Sequence, residues 1–118
     1  MTQSELKKRT KEFAHRCIKL AVALPKTDLG RHISKQLIRC ATSVAANYRA
    51  TCIAQSKLSF IAKISIVVEE VDESNFWLEL IIDENLLTKE RVAPLHKESA
   101  ELTSIFMASR KTASLAKK

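Results

Sequence analysis

The chain has 118 residues and a formal net charge of +7, with twenty basic residues against thirteen acidic ones. Apolar residues make up 46% and charged residues 28% of the sequence, a balance that is typical of folded proteins and excludes intrinsic disorder. Because there is one glycine and there are two prolines, the turn residues that hairpins need are almost absent, and we expect a single all-helical domain over 1–118.

The first predicted helix covers about residues 4–23. Residues suited to a core recur along it at alternating steps of four and three, which places them on one side of a helix. They are Leu6, Thr10, Phe13, Cys17, Leu20 and Leu24. Pro25 then ends the pattern.

The second predicted helix covers about residues 28–53, with Thr27 or Asp28 as its N-cap. Its core positions are Ile33, Leu37, Cys40, Val44, Asn47 or Tyr48, and Thr51. Much of the rest of this helix is Ala, Ser or Thr. Such small side chains would allow neighbouring helices to approach closely.

The third predicted helix covers about residues 56–85 and begins at the N-cap Ser56. Its core positions are Phe60, Ile64, Val67, Val71, Leu78 and Ile82.

The fourth predicted helix covers about residues 89–110, and Thr88 opens it. Pro94 predicts either an irregular first turn or a start near Ala93. The core positions are Val92, Leu95, Ser99, Leu102, Phe106 and Ser109. We expect residues 111–118 to be a frayed tail. Four long amphipathic helices with short connections predict an all-α fold, an antiparallel up-and-down four-helix bundle.

Charge is distributed unevenly along the chain. Residues 1–55 carry eleven basic side chains against three acidic ones, a balance of +8, whereas residues 56–105 have a balance of −5. On a helical wheel, four cations of the second helix share the side that faces away from its core positions. We call them the basic ridge: Arg31, Lys35, Arg39 and Arg49.

The basic ridge has two interpretations. It can be a solvated face whose cations pair with the acidic residues of the third helix. It can instead bind a polyanion, together with lysines of the first helix such as Lys8 and Lys19. The second interpretation is favoured because no acidic residue occurs between Asp28 and Glu69.

The third helix carries more apolar residues than one core-facing side can bury. Ile66, Phe76, Trp77 and Leu80 lie on or beside the side that carries its acidic residues. Surplus apolar surface of this kind is commonly covered by another copy of the chain, so we expect self-association through these four residues.

The order of several motifs resembles a known family. The segments SKQLIR, ATSVAANYR, SKLSFIAK and EEVDESNFWLEL, followed by KESAELTSIF, resemble the four-helix-bundle proteins encoded in intervening sequences of bacterial 23S ribosomal RNA genes. The resemblance implies a homopentamer with a basic surface. It also extends to the accessory protein of diversity-generating retroelements, which works with a reverse transcriptase and its RNA.

The chain departs from that family at two positions. The family commonly has Glu and a basic residue where this sequence has Ala50 and Ile53. If the two polar residues normally pair across the bundle or across a subunit interface, their joint replacement by apolar residues is nearly neutral. If they contact a ligand, this chain has lost that contact.

We expect no enzymatic activity, no cofactor and no metal site. Glu12 and His15 form a single Glu-x-x-His pair, whereas a di-iron bundle needs two such pairs and further carboxylates, and His15 should face outward. The three cysteines, Cys17, Cys40 and Cys52, have no CxxC spacing, so we interpret them as reduced packing residues. A phosphate-binding loop is not possible with one glycine.

Since the sequence has neither a membrane-spanning apolar run nor the apolar segment of a signal peptide, we expect a cytoplasmic protein that does not bind membranes.

Two functional hypotheses remain. The first is an oligomeric nucleic-acid-binding protein that contacts the backbone of RNA or DNA through helices one and two. We expect RNA as its ligand and weak sequence specificity. The second is an interaction scaffold or accessory subunit that docks a protein partner, such as a nucleic-acid enzyme, through helix three. Salt dependence distinguishes the two, because phosphate binding weakens steeply as salt rises and apolar docking does not.

Overall fold

The protein folds into four long helices with short connections. The structure is a computed structural model that describes residues 1–116. The helices are α1 (Gln3–Val22), α2 (Asp28–Cys52), α3 (Lys57–Asp83) and α4 (Lys89–Leu115). No strand is present in these 116 residues. Sequence neighbours pack against each other, and each short connection reverses the chain, so the all-α antiparallel up-and-down four-helix bundle is confirmed.

Side-chain caps fix the starts of three helices. The hydroxyl of Thr27 accepts a hydrogen bond from the backbone N–H of Gly30 at 3.1 Å, so Thr27 is the N-cap of α2 and Asp28 is its first helical residue. The Ser56 hydroxyl accepts the N–H of Ser59 at 3.0 Å, which confirms Ser56 as the N-cap of α3. Thr2 caps α1 in the same way. Each cap satisfies one of the backbone donors that a helix start leaves without a partner.

The fourth helix differs from its prediction at both ends. It begins at Lys89 and contains Pro94, so a start near Ala93 is wrong. Pro94 is only six residues into α4, where its missing N–H removes one hydrogen bond near the helix start. The predicted end near residue 110 is also wrong, because α4 continues to Leu115 through a stretch without Gly or Pro. The last two residues of the expected tail, 117 and 118, lie outside the described residues.

The end of α3 is a Schellman motif. Asn85 adopts a left-handed backbone conformation, with φ of 54°. The N–H of Leu86 donates to the Ile81 carbonyl at 3.0 Å, and the N–H of Asn85 donates to the Ile82 carbonyl at 3.1 Å. Asn tolerates the left-handed conformation better than other side chains do, so it can reverse the chain into α4 without glycine.

The core runs along the bundle axis and contains the predicted positions of α1 almost unchanged. All six predicted α1 residues are buried. In α2 the core residue of the two alternatives Asn47 and Tyr48 is Tyr48. It is buried, and its ring centroid lies 5.1 Å from that of Phe106. Five of the six predicted α4 positions are buried, and Ser109 is half-buried.

Helix α3 buries a wider face than the single line of core positions that the sequence predicted for it. Phe60 and Ile82 are only partly buried, whereas Val68 and Ile81 are buried. The reason is that α3 packs closely against both α2 and α4, so residues on both flanks of the predicted line enter the core.

Helix α1 packs along α2 and contacts α4 much less. The contact between α1 and α4 includes a bidentate ion pair, in which Arg9 donates to both carboxylate oxygens of Glu98 at 2.7 Å. Arg9 also reaches Glu101 at 3.1 Å. The whole bundle measures 51 × 20 × 20 Å, so it is much longer than it is wide.

Candidate nucleic-acid interface

A groove of about 730 Å³ runs between α1 and α2 on the outside of the bundle. We call it the α1–α2 groove. Its lining residues come from most of α1 and from the second half of α2, which lie side by side because the helices are antiparallel. They are Ser4, Lys7, Lys8, Lys11, Ala14, His15, Ile18, Thr42, Ala45, Ala46 and Arg49. Its three alanines explain why a groove exists here, since larger side chains at these positions would fill it.

The α1–α2 groove is lined by four cations and by no acidic residue. Arg49 is the one member of the predicted basic ridge that lies here, and Lys8 is a predicted residue of helix one. Lys7, Lys11 and His15 were not predicted. Their signal was present in the sequence, because Lys7, Lys11 and His15 follow at steps of four and therefore share one side of α1.

A smaller recess of about 120 Å³ continues the same side of the bundle toward the α1–α2 connection. Lys26, Arg31 and Lys35 contribute its cations, and Ser34 contributes a hydroxyl. Arg31 lies 3.6 Å from Asp28, but both side chains are well exposed, so this ion pair is weak. Arg31 and Lys35 of the predicted basic ridge therefore lie at this end. Lys26 was not predicted.

Arg39 differs from the other ridge residues because it is neutralised by α3. Its guanidinium forms ion pairs with Glu70, at 3.3 Å, and with Glu73. Glu73 also accepts the indole N–H of Trp77 at 3.0 Å. At this residue the first interpretation of the basic ridge applies, because the cation pairs with acidic residues of the third helix that are distant in sequence but adjacent in the fold.

Lys19 is exposed on α1 and lines neither the α1–α2 groove nor the smaller recess. The cations that the fold does bring to one side of the α1–α2 pair form what we call the basic face. They are Lys7, Lys8, Lys11, Lys26, Arg31, Lys35 and Arg49.

The outer side of α3 has a different character. Ile66 and Phe76 are 42% and 49% exposed, which places two of the four predicted interface residues on the surface. Trp77 and Leu80 are partly buried against the core, so the surplus apolar surface is smaller than the sequence predicted. Trp77 is held edge-on between Phe76 and His32, with ring centroids 5.0 and 5.6 Å away.

The cysteines lie among packed side chains. All three are free, and Cys17 and Cys40 are buried, which confirms their interpretation as packing residues, while Cys52 is partly buried. Burial raises the pKa of Cys40 to about 11 and raises that of Cys17 further. Both thiols therefore stay protonated and weakly nucleophilic at neutral pH.

His15 is exposed, as expected. Within residues 1–116, no three His, Cys, Asp or Glu side chains are grouped so that they could hold a metal ion. In the same part of the chain, none of the helices is both long and apolar enough to cross a membrane.

The family model described as "23S rRNA-intervening sequence protein" matches residues 2–108. The chain belongs to the 23S rRNA-intervening sequence protein family. A protein with unknown function from the S23 ribosomal protein family of Bacteroides thetaiotaomicron, for which there is a crystal structure, has 32% sequence identity to this chain. The alignment covers 94% of this chain and 99% of that chain, with a TM-score of 0.85. No curated protein matches the chain significantly.

The two departures from the family pattern lie close together at the end of α2. Ile53 is the C-cap of α2 and is 76% exposed, and Ala50 is half-buried in the last turn of that helix. Since Ile53 is exposed, a polar side chain at this position would not be enclosed within a single chain.

Proposed function

We propose that this chain is a non-enzymatic, oligomeric, cytoplasmic protein that binds RNA through its basic face. The observation that carries the proposal is the α1–α2 groove. Its lining includes four cations, Lys7, Lys8, Lys11 and Arg49, and no acidic residue. Cations assembled in this way attract phosphates, and each phosphate contact releases condensed counterions.

Weak sequence specificity is part of the proposal. Lysine and arginine contacts to phosphates fix the position of a protein on a nucleic acid but do not read the bases. Neither the α1–α2 groove nor the smaller recess has Phe, Tyr or Trp among its lining residues, which favours contacts to the backbone over stacking on bases.

Charge reversal within the groove tests the proposal. The groove variant is Lys7→Glu, Lys11→Glu and Arg49→Glu, and the control variant is Lys89→Glu, Lys97→Glu and Lys111→Glu on α4. Both lower the formal net charge by six and change only exposed side chains. RNA affinity is measured by fluorescence anisotropy across a salt series, and circular dichroism verifies the fold.

We expect the groove variant to lose most of its RNA affinity and the control variant to retain it. Each lost phosphate contact should reduce the slope of log affinity against log salt by about 0.7–0.9. Equal losses in the two variants would show that only net charge matters, and an unchanged slope in a folded groove variant would contradict the proposal.

Self-association is the second component of the proposal, with Ile66 and Phe76 of α3 in contact with another copy. It is supported by their exposure beside an otherwise acidic helix surface. Light scattering coupled to gel filtration should give a mass several times 13.3 kDa, and Ile66→Asp with Phe76→Asp should lower it. A monomer at all concentrations would contradict this component; the number five rests on family resemblance.

The same exposed Phe76 supports the alternative of a scaffold that docks a protein partner, such as a nucleic-acid enzyme, through α3. Under this alternative, Ile66→Asp with Phe76→Asp abolishes capture of the partner at high salt, while the groove variant does not.

A further inference from the structure

The basic face has cations at both of its ends. Lys7, Lys11 and Arg49 lie at one end, and Arg31 and Lys35 lie at the other. Arg31 and Arg49 are eighteen residues apart on the continuous helix α2, a separation of about 27 Å along its axis at 1.5 Å per residue. Since both groups sit on packed helices, the protein holds their spacing fixed.

Between the two ends the surface has small and aliphatic side chains and one imidazole, that of His15, but no Phe, Tyr or Trp. Ala45, Thr42 and Ile18 line this part of the α1–α2 groove. Proteins that bind single strands usually combine cations with aromatic platforms, and the stacking is worth about 1–3 kcal/mol per base. Among the Phe, Tyr and Trp side chains within residues 1–116, Phe76 is the one that is about half exposed. It lies on α3 and not on the basic face.

A duplex fits this surface better than a single strand does. It is stiff and carries closely spaced phosphates along both strands, so an array of cations on packed helices meets phosphates without having to order the ligand. Double-stranded RNA is recognised mainly through its shape, phosphates and 2′-hydroxyls. The hydroxyl of Ser34 lies among the cations of the basic face and can contact such groups. The hydroxyl of Thr42 donates to the Ile38 carbonyl at 2.7 Å, so it can accept a hydrogen bond from a 2′-hydroxyl.

We infer that the basic face prefers double-stranded RNA over single-stranded RNA. The inference rests on the proposed function and narrows its ligand to duplex segments, which the protein holds by their backbones.

The test compares a 20-base-pair RNA duplex with each of its two strands alone, chosen to lack internal pairing. Binding of the wild-type protein, the groove variant and the control variant is measured in one buffer at low salt. We expect the wild-type protein to bind the duplex at least tenfold more tightly than either strand. The groove variant should lose at least tenfold in duplex affinity, and the control variant should keep the preference.

The outcomes separate this inference from the proposed function. Groove-dependent binding in which single strands match or exceed the duplex would overturn the inference and leave the proposed function standing. A duplex preference that survives in the groove variant would overturn the inference by placing the duplex elsewhere. Absence of RNA binding by the wild-type protein would overturn both.

Discussion

Gly30, the one glycine of the sequence, is required by space and not by backbone flexibility. A Cβ atom at this position would lie 1.9 Å from the carbonyl oxygen of Pro25 and 3.2 Å from the hydroxyl oxygen of Thr27. The Pro25 carbonyl belongs to the short connection between α1 and α2, so it cannot move without shifting the start of α2. Gly30 therefore allows the two helices of the basic face to be joined so tightly.

Gly30→Ala should destabilise the protein although alanine favours helix. The steric conflict of an overpacked site costs about 1–3 kcal/mol or more, which exceeds the gain of about 1 kcal/mol that alanine has over glycine within a helix. We expect thermal denaturation to show a melting temperature several degrees lower, whereas Lys35→Ala on the same helix should change it little. An equal or higher melting temperature for Gly30→Ala would show that the connection relaxes freely.

Single residues also show where reasoning from sequence reaches its limit. The helical wheel correctly places Arg31, Lys35 and Arg49 on the outside of α2. It cannot show that Arg39, on the edge of the same side, meets Glu70 and Glu73, because those residues are more than thirty positions away. Likewise, the sequence indicates that Lys7 and Lys11 share a side of α1, but only the packing of α1 against α2 shows that this side borders a groove.

At the scale of elements, the starts of α2 and α3 and the core stripe of α1 were predictable because local chemistry determines them. Caps and 3.6-residue periodicity are properties of short segments. The breadth of the buried face of α3 was not predictable in the same way, because it depends on close packing against two neighbouring helices. The end of α4 was missed because no stop signal occurs near residue 110.

The attachment of α1 to α4 depends on charge. The hydrogen bonds from Arg9 hold the pKa of Glu98 below its ordinary value of 4.5. As the pH falls, the Glu98 carboxylate is therefore protonated at a higher pH in the unfolded chain than in the folded protein. The ion pair stabilises the fold fully above about pH 4.5, and this contribution disappears as the pH falls through the lower, folded-state pKa of Glu98.

Glu98→Gln should therefore lower the melting temperature at pH 7 and have a much smaller effect at the acidic end of a pH series. Gln keeps the size of the side chain but has no charge and only one of the two acceptor oxygens to which Arg9 donates. Glu101→Gln is the control, since its carboxylate is more exposed and makes one contact with Arg9. If the difference between wild-type and Glu98→Gln stayed constant from pH 7 to acid, the ion pair would not be its cause.

At the scale of the whole molecule, the fold converts a charge difference along the chain into a difference between surfaces. The half of the sequence with a balance of +8 forms α1 and α2, which share the basic face, while most of the acidic residues lie on α3 and α4. The sequence predicted this division in outline. The position of the cations around the α1–α2 groove required the antiparallel packing of the two helices.

The central claim is that RNA lies on the basic face, and lysine protection tests it most directly. The wild-type protein is acetylated briefly with and without a saturating RNA duplex, and modification at each lysine is quantified by mass spectrometry. We expect RNA to protect Lys7, Lys8 and Lys11 strongly and to leave Lys89, Lys97 and Lys111 of α4 as reactive as before. Because both samples contain the same assembly, contacts between copies do not affect the comparison. Protection confined to the α4 lysines, or equal protection of both groups, would contradict the account.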